Sequence, residues 1–121
     1  MKLLFTYYGH TPTLNDVLGK TKQHFGKYAK EKKSHTDMAC ILAKATGIKL
    51  KGRVRLLFVW HRKDARTDPD NVAFAKKYLL DGMVNAGMLV NDGPKQIAGF
   101  QDEFFYGEAD KVEVFLIESN G

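Results

Sequence analysis

One cysteine, Cys40, stands in 121 residues, so the chain can form no internal disulfide and no zinc site built on cysteine thiolates. A single thiol favours a reducing compartment, and the expected location is the cytoplasm. No apolar run approaches the ~20 residues that a membrane-spanning helix needs. Met1–Phe5 carries one positive charge and a short apolar stretch, then breaks into Thr6-Tyr7-Tyr8-Gly9-His10. No small-residue cleavage site follows, so this start reads as an edge of the core and not as a signal peptide. His10, His24, His35 and His61 lack zinc-like spacing and are each read as structural or exposed. There is no internal repeat, low-complexity segment or linker. One domain over residues 1–121 is the expectation.

A domain of this size can bury roughly two-thirds of its unfolded surface and needs no staple. The net charge of +5 is unevenly placed. Residues 1–60 hold twelve Lys and Arg against three acids, whereas residues 61–121 hold seven against eleven. A basic half beside an acidic half suits a protein that grips a polyanion and also coordinates cations. A solvated, lysine-rich helix explains the basic half equally well.

Hydrophobic periodicity gives the order β-α-β-α-β-β, an α/β (α+β) fold with a mixed sheet and helices packed on it. Residues 2–8 read as a strand ending at Gly9. Thr13 or Asn15 caps a helical stretch over 14–45, surest from Lys32 to Ala45 and stopped by Gly47. Cys40 falls on its apolar face and reads as core. Residues 53–61 are the most hydrophobic run, including Trp60, and suit a central strand covered on both faces. A basic loop leads to Asp68-Pro69-Asp70-Asn71, which opens a helix with Val72, Ala75, Leu79, Met83 and Ala86 on one face and Gly87 at its end. After the turn Asn91-Asp92-Gly93-Pro94, strands near 97–105 and 111–118 are joined through Gly107-Glu108-Ala109-Asp110, which reads as a hairpin loop. Asp102 and Glu103 lie in a predicted strand and are expected at the surface, the alternative being that one of them supports the metal ligands from behind. The aromatics between 100 and 106 are expected in sheet packing, with some at a dimer face.

The chemistry concentrates between Arg66 and Pro94. Asp68 and Asp70 stand where a buried strand gives way to a helix, a position at which α/β folds often bind ligands. Asp92 reaches the same point if the helix runs back along the sheet edge. Three clustered carboxylates repel one another unless a cation neutralises them. Mg²⁺ prefers oxygen ligands and keeps waters, and such a site supports phosphodiester hydrolysis; Mn²⁺ is the natural substitute. Lys76 and Lys77 lie on the helix that Asp70 opens and can stabilise negative charge. Each aspartate also has a plain structural role: helix cap for Asp68, dipole partner for Asp70, turn residue for Asp92. Lys20, Lys22, Lys27, Lys30, Lys32 and Lys33, with His24, Phe25 and Tyr28 interleaved, make a candidate phosphate-contacting patch. Arg62, Lys63 and Arg66 flank the carboxylates and are better placed to hold the cut strand.

Arg66-Thr67-Asp68-Pro69-Asp70-Asn71, a lysine and Leu80-Asp81 in the following helix, and Ala86-Gly87-Met88-Leu89-Val90-Asn91-Asp92 together resemble the core of the RusA endonuclease family. Pro12-Thr13-Leu14-Asn15 ahead of a basic helix is similar to that family's opening, so the resemblance covers most of the chain. It implies that Asp68, Asp70 and Asp92 are the metal-binding catalytic aspartates. It further implies a catalytic lysine; counting back from Asp81 favours Lys77, with Lys76 the alternative, because about three extra residues lie within Val72–Lys76. Asn91 replaces the first acid of the family's Asp-Asp turn. Thr67 stands where an arginine often precedes the motif. The implied activity is paired nicking of four-way (Holliday) DNA junctions by a symmetric homodimer. Two alternatives stay open: a nuclease for flaps or other branched DNA, and a non-enzymatic DNA-binding module.

Overall fold

The structure, a computed structural model, describes the backbone of residues 1–23 and 25–120 and, within these, all side chains except those of 20–23, 25, 27, 28 and 118–120. Its elements are β1 (Lys2–Tyr8), α1 (Leu14–Gln23), α2 (Phe25–Ala45), β2 (Arg53–Arg62), α3 (Pro69–Ala73), α4 (Lys76–Asn85), β3 (Ile97–Tyr106) and β4 (Lys111–Asn120). The four strands form one mixed sheet in the order β1-β4-β2-β3. β4 is antiparallel to both of its neighbours, whereas β2 and β3 run parallel. Among the described residues no helix is long and apolar enough to cross a membrane.

The core lies between one face of this sheet and the helices. Val54, Leu56, Phe58 and Trp60 alternate along β2 and are wholly buried. They join Ala39 and Ala43 of α2, Val72 of α3, and Leu79 and Met83 of α4 in one apolar cluster. On the other face of β2, Leu57 is buried, but Arg55 is exposed and Val59 and His61 are half-buried. The expectation of a strand covered on both faces therefore holds for one face only. The helices all draw on the even-numbered residues, and the odd ones are left to His61–Phe105 stacking and a His61–Glu113 contact.

Two further expectations are corrected. β3 and β4 are not a hairpin, because β2 lies between them. The short loop after β3 crosses the end of β2 and is tied to it on both sides. The Gly107 amide donates to the Arg62 carbonyl at 2.9 Å, and the Lys63 amide donates to Asp110 Oδ1 at 2.9 Å. The second helical stretch is also interrupted: α3 ends at Ala73 and α4 begins at Lys76. Between them the Ala75 amide bonds Val72 O, a tighter three-residue step. The periodic apolar face survives the break, with Val72, Ala75, Leu79 and Met83 all buried.

Local signals work elsewhere. Thr13 and Asp16 exchange backbone-to-side-chain hydrogen bonds at the start of α1, a capping box. Gly87 terminates α4 with φ +79°, and the Met88 amide reaches back to Met83 O. Gly82 is a different case. A Cβ there would lie 2.5 Å from Ala39 Cβ and 2.8 Å from the Cys40 amide, so glycine sets how closely α4 approaches α2. Cys40, at this contact, is half-buried and not part of the sealed core.

Candidate metal and nucleic-acid site

β2 delivers the chain to the site through Arg62, which is only 5 % exposed and donates from Nη1 to Thr11 O. Its Nε is buried without a partner. Arg62 thus faces the interior, out of reach of a DNA backbone, and differs from the exposed Lys63 and Arg66 beside it. Arg66 grips Asp64 through Nε and Nη2, at 3.0 and 2.8 Å to Oδ2. These hydrogen bonds lower the Asp64 carboxyl to about 2. Asp110, which receives the Lys63 amide, is pushed up by burial, but that bond and the Arg62 and His10 charges bring it below the ordinary value.

Asp68 occupies the N-cap of α3 in extended conformation, and its backbone carbonyl accepts from the Asn71 and Val72 amides. Its side chain makes no capping hydrogen bond. The usual reason for an aspartate at this position, an oxygen that accepts an orphan amide, is therefore not realised. Asp70 follows in the first turn, and its Oδ1 accepts only the adjacent Asn71 amide, at 3.0 Å. Both aspartates are exposed. Neither makes an ion pair among the described residues.

Lys76 and Lys77 start α4 side by side, and the helical rotation between successive residues sends them different ways. The Lys76 side chain is 18 % exposed and donates to Asp102 Oδ2 at 2.7 Å. Its ammonium also sits over the rings of Phe58 and Phe100, 5.4 and 4.6 Å from their centroids. Asp102 Oδ1 in turn accepts from Trp60 Nε1 at 2.9 Å. Lys76 is consequently a tie between α4 and the sheet, not a surface contact for DNA. Asp102 is the half-buried centre of that tie, which corrects its expected surface placement.

Lys77 is 57 % exposed and lies 3.1 Å from Asp81 Oδ1 and 3.3 Å from Asp92 Oδ2. The hydrogen bond that Lys77 donates to Asp81 is the main cause raising its pKa, opposed by partial burial and assisted by Asp92. Lys77 is therefore a permanent cation at neutral pH. Asp92 also fixes its own turn, since its amide donates to Asn91 Oδ1 at 2.8 Å. The turn after α4 thus returns Asp92 to the first turn of that helix.

The donors at Asp68, Asp70 and Asp92 are all carboxylate oxygens, the chemistry that Mg²⁺ prefers. Among the described residues, however, no three His, Cys, Asp or Glu side chains are grouped closely enough to hold an ion. Lys77 is the charge that meets Asp92 here. Of the basic patch, Lys30, Lys32 and Lys33 are exposed on α2, and Lys33 is bonded to Asp37 at 2.7 Å. The side chains of Lys20, Lys22 and Lys27 lie outside the described residues. His35 is structural: Tyr7 Oη meets its Nδ1 at 2.6 Å, and Tyr78 stacks on its ring.

Sequence reading missed two features. One is the Lys76–Asp102–Trp60 tie, which depends on the parallel pairing of β2 with β3 and has no local signature. The other is a cavity between α2 and α4 that contains Asp81, Asn85 and Asp92. No protein-family model and no curated protein matches the chain.

Proposed function

We propose that this chain is a Mg²⁺-dependent, structure-specific DNA endonuclease of the RusA type. It acts in the cytoplasm as a homodimer and resolves four-way junctions by paired nicks, with Mn²⁺ able to replace Mg²⁺. The observation that carries this reading is the state of Asp68 and Asp70. They stand exposed at the start of α3, and the capping role that would explain Asp68 structurally is not used. An exposed acid at a helix start whose side chain does no capping is free to meet a cation or a ligand from solution.

Asp68, Asp70 and Asp92 would hold the metal. Once bound, Mg²⁺ supplies activation of the attacking water and neutralisation of charge on the phosphate. Lys77 stays protonated between Asp81 and Asp92, so its part is to stabilise the negative charge that builds on the phosphate, not to accept a proton. Lys63 and Arg66 hold the strand beside the carboxylates. The Asp64 carboxylate keeps the Arg66 guanidinium in one orientation.

One observation favours a purely DNA-binding role: Lys77 already compensates Asp92 without any metal. A labelled four-way junction, incubated with Mg²⁺ or with chelator, separates the two readings. The nuclease gives paired, symmetric nicks that vanish with chelator and in Asp70→Asn, while junction binding persists. Binding without nicks in any divalent metal establishes the binding module. Nicks confined to flaps or other branches move the substrate away from junctions.

A further inference from the structure

The sheet has two edges, and they are built differently. β1 carries Lys2 and a bulge at Leu4, where its pairing with β4 shifts register. A lysine and a bulge are two of the devices that keep an edge strand from pairing further. β3, at the other edge, has no lysine, arginine or proline in Ile97–Tyr106. Its one irregularity, at Ala98, lies at its start, and from Gly99 to Tyr106 the pairing with β2 is unbroken. Among the described residues no other strand pairs with its outer side. A long, regular edge of this kind is a template for another strand.

Exposed aromatic surface is concentrated on the same strand. Phe100, Phe105 and Tyr106 are 43, 56 and 44 % exposed. Phe100 meets Phe58 on the helix-bearing face, and Phe105 stacks on His61 on the open face. Both sides of the edge therefore present rings to solvent, as protein interfaces commonly do.

β3 is also complementary to itself about a two-fold axis. Antiparallel pairing centred on Asp102 keeps each face of the sheet on its own side. It sets Phe100 opposite the partner's Phe104, Gln101 opposite the partner's Glu103 and Gly99 opposite the partner's Phe105, each pair occurring twice. Aromatic pairs across strands stabilise a sheet, and an aromatic ring covers an edge glycine. Gln101 Nε2 donates to its own Glu103 at 3.1 Å, and its second N–H is left for the partner's carboxylate. Asp102 faces its own copy at the axis, but each carboxylate is already held by Lys76 and Trp60. Sliding the pairing one way sets Glu103, which makes no ion pair among the described residues, opposite itself. Sliding it the other way sets Phe100 opposite Asp102. Charge and packing thus favour one register.

We infer that a second copy of this chain docks on β3, edge to edge, so that two sheets become one continuous sheet with all helices on one side. This names the surface of the proposed homodimer and rests on that part of the proposed function, not on the nuclease activity.

The test is sedimentation equilibrium over a wide range of protein concentration, with amide hydrogen exchange followed at both ends of that range. The wild type is expected to dimerise reversibly, and exchange within Gly99–Tyr106 to slow as the dimer fills, while exchange in Lys2–Tyr8 stays as it was. Gln101→Glu puts like charges opposite each other twice and should weaken the dimer about fivefold. Adding Glu103→Lys to that variant makes both pairs attractive and should restore wild-type affinity or better. Both positions are exposed, so melting temperatures of the monomers should agree. A monomer at every concentration overturns the inference. So does a dimer in which β3 exchanges as fast as in the monomer, or one whose affinity Gln101→Glu leaves unchanged. So too does a dimer weakened by Gln101→Glu that Glu103→Lys fails to rescue. Normal junction nicking by a protein whose dimer ignores these substitutions removes this inference and keeps the nuclease. A β3-dependent dimer that nicks nothing under Mg²⁺ does the reverse.

Discussion

The sheet-facing and solvent-facing sides of the first turn of α4 carry the same side chain under opposite conditions. Lys76 lies against Phe58 and Phe100 and donates to Asp102, so its charge is engaged by the fold. Lys77, one residue on, is exposed and divides its charge between two carboxylates of different segments. Residue type says nothing about this difference. It arises because the parallel pairing of β2 with β3 puts Asp102 beneath Lys76, while the turn after α4 brings Asp92 up to Lys77. The same chemical group serves packing on one side and is available for reaction on the other.

The comparison can be broken hardest through the carboxylate. Asp92→Asn should reduce junction cleavage about a thousandfold in single-turnover assays. Its melting temperature should hardly change, because Lys77 keeps Asp81. Comparable loss of cleavage and of stability would make Asp92 a structural residue. The next effect concerns the platform. Gly82→Ala forces a Cβ against Ala39 and the Cys40 backbone, and should cost about 3 kcal/mol in denaturant unfolding. A neutral result would mean that α2 and α4 can separate without harm.

The lysines themselves sharpen the contrast. Lys77→Met should lower cleavage about a hundredfold with little effect on stability. Lys76→Met strands Asp102 and should cost about 2 kcal/mol, with cleavage by the folded fraction retained. Reversal of these two outcomes would exchange the roles assigned to the pair. Because the folded-state pKa of Lys77 is raised, any stability it contributes is complete below its unfolded value and fades only as pH rises past the ordinary lysine value of 10.5. The stability difference between wild type and Lys77→Met should therefore be flat from pH 6 to 9, roughly the range over which an unperturbed lysine stays charged. The smallest effect is expected at the loop. Asp64→Ala releases Arg66 and removes one negative charge, and should tighten junction binding about twofold at low salt. Weaker binding would show that Asp64 matters more as an orienting group than as a charge.

Much of this was legible in the sequence. The strands at 2–8 and 53–61 declared themselves by composition, as did the stop at Gly87, and the sequence narrowed the first cap to Thr13 or Asn15, of which the structure uses Thr13, because each depends on neighbours in the chain. The apolar face through Val72, Ala75, Leu79 and Met83 survived the α3–α4 break, because burial constrains that face and not helical continuity. The β3–β4 connection was misread because a short polar loop looks alike whether its strands pair or straddle a third. Which strand fills the gap is decided across the sheet, by the ties at Arg62 and Lys63. Asp102 and Arg62 were misplaced for a related reason. A charged residue is assigned to the surface by default, and only tertiary partners such as Trp60 and Lys76, or Thr11, bring it inside. At the site, the motif pointed to Asp68, Asp70 and Asp92 as residues. The exposure of the first two and the engagement of the third with Lys77 required the fold.

Whether three carboxylates converge on one ion is most directly read by titrating Mn²⁺ into ¹⁵N-labelled protein without DNA and following paramagnetic broadening of the amide signals. The account predicts that the amides of Asp68, Asp70, Asn71 and Asp92 broaden together at the same Mn²⁺ concentration, and that Mg²⁺ in excess restores them. Broadening at Asp92 alone, at unrelated surface acids, or nowhere would contradict a metal site shared by Asp68, Asp70 and Asp92.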